Sequence, residues 1–429
     1  MKRGLDRQLA QEILASVDAG FDGQVSFTEE LVRHPSLRGQ EQTAQDLMFR
    51  ALAERGYAMD RWAIDVDDIA HHPGFSPVKV DYAHALNVVG THRPKQELGR
   101  SLILNGHIDV VPTGPREMWR SPPFSPRREG DWLYGRGAGD MKAGLAANLF
   151  AVDALARLGY RPAATIYQQS VVEEECTGNG ALACLLRGYR ADAALIPEPE
   201  DDKLVRANVG VIWFQVKVRG LPVHVREAGR GENAIEAAYR LIQALRVLEA
   251  EWNARKSRHR HFEDLEHPIN FNVGRIEGGD WASSVPAWCT IDCRIALYPG
   301  VKPADAAREL EDCVHAAAAR MPYLANNPPE IVYNGFFAEG YVLKEGGGAE
   351  AALARAHATS HGKALESFVT PGYLDGRVFV LYGGTPCLVY GPYSEAIHAF
   401  DERVSLTSVK RVTGAMALFI AEWCGLERT

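Results

Sequence analysis

The sequence predicts an α/β fold, a mainly parallel sheet flanked by helices, with a smaller α+β module inserted into it. Three observations carry this. Between residues 86 and 197, β-branched apolar runs alternate with helical stretches, which is the signature of parallel strands joined by crossover helices. Near residue 208 the pattern changes to alternating strands and two long amphipathic helices, and after about 335 the earlier style resumes. The length, 429 residues, exceeds what one hydrophobic core usually serves.

Taken in order, residues 1–58 read as helical, with apolar residues three and four apart over 8–17, 29–32 and 42–52 and a stop near Gly56. Residues 60–85 read as loop around His71, His72 and Pro73, where a histidine pair before proline marks a surface turn. Strands are predicted over 86–89, 101–105, 165–172 and 193–197. Helices are predicted over 143–158, stopped by Gly159, and over 181–186. In the inserted part, 209–218 alternates as a half-buried strand, and 233–250 is a long helix opened by Asn233 as N-cap. Strands follow over 269–275, 288–296 and 330–333, with a helix over 303–320, so two helices cover one four-stranded, mostly antiparallel sheet. Pro322, Pro328, Pro329, Gly335 and Gly340 punctuate the exit. A helix over 349–360, short buried segments at 378–381 and 387–390 and a terminal helix over 407–423 complete the chain. The expected division is residues 1–208 with 336–429 in one domain and 209–335 in the other.

Composition narrows the function. With 46% hydrophobic and 24% charged residues the chain is an ordinary globular protein. A net charge of −8 argues against nucleic acid or an anionic membrane as partner. No apolar run approaches the roughly 18 residues that span a bilayer, and the start lacks the apolar core of a secretory leader. Seven scattered cysteines without CxxC spacing point to reduced thiols and a cytoplasmic location. Cys289 and Cys293, four apart in a strand-like segment, should face the same way.

Five scarce side chains each follow an apolar run or a glycine-rich turn. His107 closes SLILNGH, and Asp109 two residues on is placed to accept its other ring N–H. Asp140 follows Gly135, Gly137 and Gly139, spaced GxGxG and not as a dinucleotide loop, and Lys142 beside it reads as a structural ion-pair partner. Glu173, Glu174 and Glu175 follow the run 165–172. Three like charges at a buried strand end are costly unless cations neutralise them, so one carboxylate as ligand and a neighbour as base is a natural division. Glu198 ends ALIPE, and His398 lies in a loop after the run ending at Tyr390. Oxygen and nitrogen donors without cysteine suit Zn²⁺, Mn²⁺ or Co²⁺.

The motifs GHIDVVP, GRGAGDMKAG, EEECTGNGA, IPEPE and GLPVH, together with the histidine loop, resemble the M20 family of metallopeptidases and amidohydrolases, in order and over nearly the whole chain. The resemblance implies a zinc-exopeptidase-like catalytic domain, an inserted lid and dimerisation domain, and a homodimer. It implies two divalent metal ions, Zn²⁺ foremost with Co²⁺ or Mn²⁺ as alternatives. Asp140 would bridge them, Glu175 and His398 would complete one site, and His107 and Glu198 the other. Glu174 would be the general base and proton donor, Asp109 would orient His107, and the Asp140–Met141 peptide would be cis. His224 would reach a neighbouring subunit's site to stabilise an oxyanion, and Arg294 would meet a substrate carboxylate. Two departures stand out. Ser283 occupies a lid position where relatives carry asparagine, which leaves one hydroxyl for substrate contact. The stretch PGYLDGR, which contains Asp375 and Arg377, lacks the threonine that the family commonly carries shortly before that aspartate. The expected function is metal-dependent hydrolysis of a C–N amide bond in a small molecule, foremost deacylation of an N-acyl amino acid. Alternatives on the same site are a dipeptidase, a carboxypeptidase, a deformylase or a hydrolytic deaminase. A silent ligand-binding homologue is the alternative from another class.

Overall fold

The computed structural model describes residues 5–429, so the first four residues of the amino-terminal stretch lie outside it. A six-stranded sheet organises the larger part, in the order Ala58–Ala63, Leu86–His92, Ile166–Val171, Leu102–His107, Ala193–Ile196, Cys387–Val389. The last four run parallel, whereas the first two pair antiparallel at one edge. The mainly parallel α/β sheet read from the sequence therefore holds, with an antiparallel border. That border includes Ala58–Ala63, which falls where the sequence reads as loop. Its polar AMDRWA composition suits an edge strand and hides the period-two signal.

The interior strands are apolar on both faces because helices cover both. Leu102, Leu104, Ala193 and Leu195 pack against a core shared with the helices Arg7–Arg33, Ala143–Arg157, Gly348–His361 and Leu406–Cys424. Ile103, Ala194 and Ile196 turn to the opposite core. Each leucine and isoleucine among them contributes about 1.5–3 kcal/mol by leaving water.

The second sheet is antiparallel, in the order Phe271–Gly278, Trp288–Leu297, Gly210–Arg219, Glu330–Ala338. Phe214, Val216 and Val218 turn toward the helices Ala234–Ala254 and Pro303–Ala318, while Trp213, Gln215 and Lys217 face away, half-buried. Asn233 caps the first helix by accepting from the amides of Ile235 and Glu236. Cys289 and Cys293 both enter this core. At the junction, Leu204–Asn208 pairs with Ser367–Thr370 and Tyr341–Val342, a small sheet the sequence reading lacks. Val378–Gly383, read as a buried segment, is a helical turn. Among the described residues, no helix is long and apolar enough to cross a membrane.

Candidate active site

Three neighbouring parallel strands end on one side of the sheet, which is why residues distant in sequence converge there. His107 is the last residue of Leu102–His107, Glu174 and Glu175 follow Ile166–Val171, and Glu198 follows Ala193–Ile196. Asp140 arrives from the glycine turn before Ala143–Arg157, and its peptide with Met141 is cis. His398 comes from the hairpin between Ser394–Glu395 and Arg403–Ser405.

The carboxylate of Asp140 faces two groups at once. Its Oδ1 lies 3.0 Å from His107 Nε2, which is also 3.5 Å from Glu198 Oε1. Its Oδ2 lies 3.3 Å from His398 Nε2, which is 3.1 Å from Glu175 Oε2. His107, Asp140 and Glu198 form one cluster of donor atoms within 4.8 Å of one another, Asp140, Glu175 and His398 form a second, and His107, Glu174 and Glu175 form a third that overlaps both. Glu174 Oε2 stands 3.9 Å from His107 Nε2. Burial pushes Glu174 well above the usual carboxylate range and Glu198 up to about 7. His398 is drawn up to about 11, foremost by the charge of Glu175. His107 is raised as well: burial works against its charge, but the carboxylates of Glu198 and Glu174 outweigh it.

Asp109 departs from the expected contact. His107 Nδ1 donates to the main-chain carbonyl of Asp109 at 2.9 Å, while the nearer carboxylate oxygen is 3.7 Å away. A proton is thereby fixed on Nδ1, so that a neutral ring would aim its Nε2 lone pair into the cluster. The Asp109 carboxylate instead accepts from the amides of Glu174 and Glu175, at 3.4 and 3.2 Å. It positions the acidic turn as well as the imidazole.

Two buried carboxylates that the sequence reading did not assign build the frame. Glu173 is held by Nε and Nη2 of Arg38, at 2.5 and 2.6 Å, and by the hydroxyls of Tyr82 and Thr177. Of the three consecutive glutamates it alone pairs with a guanidinium. Glu402 accepts from the amides of Gly137, Gly139 and Asp140 and pairs with Arg136 at 2.6 Å. The glycine turn thus wraps Glu402 rather than Asp140. Gly137 has φ 77°, and a Cβ there would come within 2.5 Å of Val110. Lys142 is buried and donates to the carbonyl of His34, a structural role but not an ion pair. His72 accepts from the amide of Gly74, away from the cluster, as a turn residue would.

Above the cluster lies a cleft of about 520 Å³, lined by Asp140, Glu174, Glu175, Glu198 and His398 from below. Trp213, Asn272 and Arg294 line it from the second sheet. Arg294 is therefore brought to the site. His224 and Ser283 are not: both are exposed on one surface turn, where Val225 N donates to the Ser283 carbonyl. Asp375 and Arg377 are buried behind Tyr373, whose hydroxyl lies 3.0 Å from each.

A parallel-sheet edge that presents two nitrogen–oxygen donor clusters sharing one aspartate, beneath a second sheet, defines a hydrolase of the metallopeptidase kind. The chain belongs to peptidase family M20/M25/M40, whose profile matches residues 103–422, and it is a hydrolase of C–N amide bonds. It is 28% identical to an N-formyl-4-amino-5-aminomethyl-2-methylpyrimidine deformylase of Halalkalibacterium halodurans, over 97% of this chain and 98% of that one. It is 27% identical to a succinyl-diaminopimelate desuccinylase of Acidovorax ebreus, over 90% and 95%. Human carnosine dipeptidase 1 shares the fold, with a TM-score of 0.76 at 17% identity over 97% and 99%. The family is metal-dependent. The residues here fit that requirement: the donors are carboxylate and imidazole only, and Glu198 Oε1 is a buried oxygen without a hydrogen-bond donor, aimed into the first cluster.

Proposed function

We propose that this enzyme deacylates a small N-acyl amide, an N-acyl amino acid or a close relative, at the cluster around Asp140. One observation carries the reading: each oxygen of Asp140 serves a different donor cluster, with Glu174 beside them. His107 and Glu198 would hold one divalent cation and Glu175 and His398 the other, with Asp140 shared. Zn²⁺ suits these donors best, with Co²⁺ and Mn²⁺ as alternatives. Bound there, such ions polarise a carbonyl and lower the pKa of water.

The protein's own groups do the rest. Glu174 takes the proton of the attacking water and delivers it to the departing amine; its burial favours the proton-holding form between those steps. Arg294 receives a substrate carboxylate. The Nδ1 of His224 accepts from the amide of Arg226 at 3.1 Å, so a neutral ring carries its proton on Nε2. That N–H is suited to an oxyanion, yet it lies outside its own cleft. We therefore read the enzyme as a homodimer through the inserted domain, each lid supplying His224 and Ser283 to the partner's cleft. Exposed Tyr239, Val247, Ile276 and Trp281 on that domain support such an interface. All seven cysteines are free thiols, which supports a cytoplasmic location.

The full-length likeness to a deformylase favours a second reading, removal of a formyl group from an amine. Turnover of N-acyl amino acids, dipeptides and formamides with added Zn²⁺, Mn²⁺ and Co²⁺ separates the two. Deacylation requires that chelated enzyme be inactive and that activity return with metal. Equal rates before and after chelation would overturn both readings.

A further inference from the structure

One row of side chains crosses the lid sheet above the cleft. Asn272 stands opposite Arg294, and Arg294 opposite Trp213, in antiparallel register. Directly opposed residues share a face, so these three point the same way, and all three line the cleft. On the fourth strand the row is interrupted. Ile212 pairs with Phe337 and Phe214 with Tyr333, which leaves residues 334–336 against Trp213 alone. A bulge of this kind re-aims side chains. Here it brings Phe336 to the cleft beside Trp213, with ring centroids 5.2 Å apart at 89°. Gly335 makes the approach possible, since a Cβ there would come within 2.5 Å of the indole. Tyr373 meets Phe336 from the catalytic domain at 4.2 Å. Its hydroxyl is fixed between Arg377 and Asp375 and passes over Gly178, where a Cβ would lie 1.8 Å away. Tyr373 falls in the stretch where the resemblance leads one to expect a threonine.

We propose that Trp213, Phe336 and Tyr373 form a preorganised aromatic subsite that selects amides carrying a flat conjugated ring, with Arg294 and Asn272 at its polar end receiving a carboxylate or carbonyl of the same molecule. The proposal rests on the amide-hydrolase reading of the site and adds the class of substrate. Three rings held by a bulge, two glycines and a buried hydrogen-bonded pair have little freedom to adapt. A flat ring meets them through offset or edge contacts between quadrupoles, whereas a puckered aliphatic ring of equal size gains only the burial of its surface. Arg294 is the direct neighbour of Trp213 in the row and Asn272 the next, so a ring and an anion on one small molecule are read together.

The test compares N-formylphenylalanine with N-formylcyclohexylalanine, which differ in flatness and little else, on the metal-loaded full-length enzyme. Wild type is expected to favour the phenyl substrate by about tenfold in kcat/KM. Trp213→Leu and Phe336→Leu are each expected to lower that ratio to about two- or threefold. Binding of benzoate and cyclohexanecarboxylate, measured by calorimetry, supplies the same comparison without an amide. A ratio near one in wild type, in turnover and in binding, would overturn the subsite; so would a ratio that neither variant changes. If neither formamide is hydrolysed while benzoate still binds about tenfold tighter, the subsite stands and the deformylase reading falls. If both formamides are hydrolysed equally and the two carboxylates bind alike, the hydrolase reading stands and the subsite falls.

Discussion

The floor and the roof of the cleft solve opposite problems. On the floor, four carboxylates and two imidazoles crowd together, four of the six at the ends of parallel strands and three of them, His107, Glu174 and Glu198, buried. On the roof, Arg294 is the single charged group among Trp213, Asn272 and Phe336. Buried like charges must be neutralised by protons or by cations, and the metal dependence of the family favours cations on the floor. The roof carries shape and one anchoring charge, which suits it to choosing the substrate. The largest expected effect tests the floor. Glu174→Gln keeps the shape and the neighbouring donors but removes the proton carrier, so kcat should fall by about 10²–10⁴ while metal content stays at the wild-type value. A variant with normal metal and normal kcat would remove Glu174 from the mechanism.

The next effect tests whether the roof is completed by a second copy. His224→Ala should lower kcat by about 10²–10³ without changing metal content. Mixing and reassociating it with Glu174→Gln should restore activity, to about a quarter of wild type for random pairing of equal amounts. In the mixed dimer, the protomer that keeps Glu174 receives His224 from its partner. An assembled mixture that stays inactive would show that the histidine acts within its own chain or not at all.

The same contrast explains what the sequence disclosed. The convergence of the floor was legible because His107, Glu174, Glu175 and Glu198 follow apolar runs whose ends parallel strands bring together, and Asp140 follows a glycine turn. The helices of the lid were legible from their periodicity, and Asn233 from its place before one. Three things were not. Ala58–Ala63 is an edge strand whose polar residues mask its alternation. Glu402 looks like one more loop acid, since its three amide donors come from a turn some 260 residues earlier and no local pattern announces them. Asp109 has the right spacing for His107, but the backbone carbonyl takes the ring N–H and frees the carboxylate for the acidic turn. For Glu402 and for the carboxylate of Asp109 the deciding partners are remote in sequence.

Glu173 sharpens the comparison within the floor itself. It is adjacent to Glu174 and equally buried, but Arg38, Tyr82 and Thr177 satisfy it. Glu173→Gln should therefore act on stability first, lowering the unfolding free energy in urea by about 1–3 kcal/mol. Its effect on kcat should be much smaller than that of Glu174→Gln. A Glu173→Gln enzyme with wild-type stability but a rate as low as Glu174→Gln would show that the two carboxylates act as one unit.

The smallest expected effect lies outside the cleft. His357 and His361 stack with ring centroids 4.0 Å apart at 11°, on one face of Gly348–His361. His357 Nδ1 meets the Tyr390 hydroxyl at 2.9 Å, while both ring nitrogens of His361 lack a hydrogen-bond partner. Burial foremost, with the charges of His361 and Lys363 acting on His357 and those of Arg411 and Lys363 on His361, pushes both imidazoles from the ordinary 6.5 down to about 4. The unfolded chain therefore binds more protons than the fold between pH 6.5 and 4. The stability the pair contributes is complete above about 6.5 and is lost as pH falls toward 4. Asp202, 3.7 Å from His361 and raised by its own burial, works in the opposite sense, and Glu366 favours the charged form of His357. The informative quantity is thus a difference between proteins. His361→Gln should weaken the fall in Tm between pH 6.5 and 4.5 by roughly 2–4 °C relative to wild type, with Tm at pH 8 changed less. Identical slopes in the two proteins would mean that acid acts through the floor of the cleft, where the buried carboxylates are, and that this pair is inert packing.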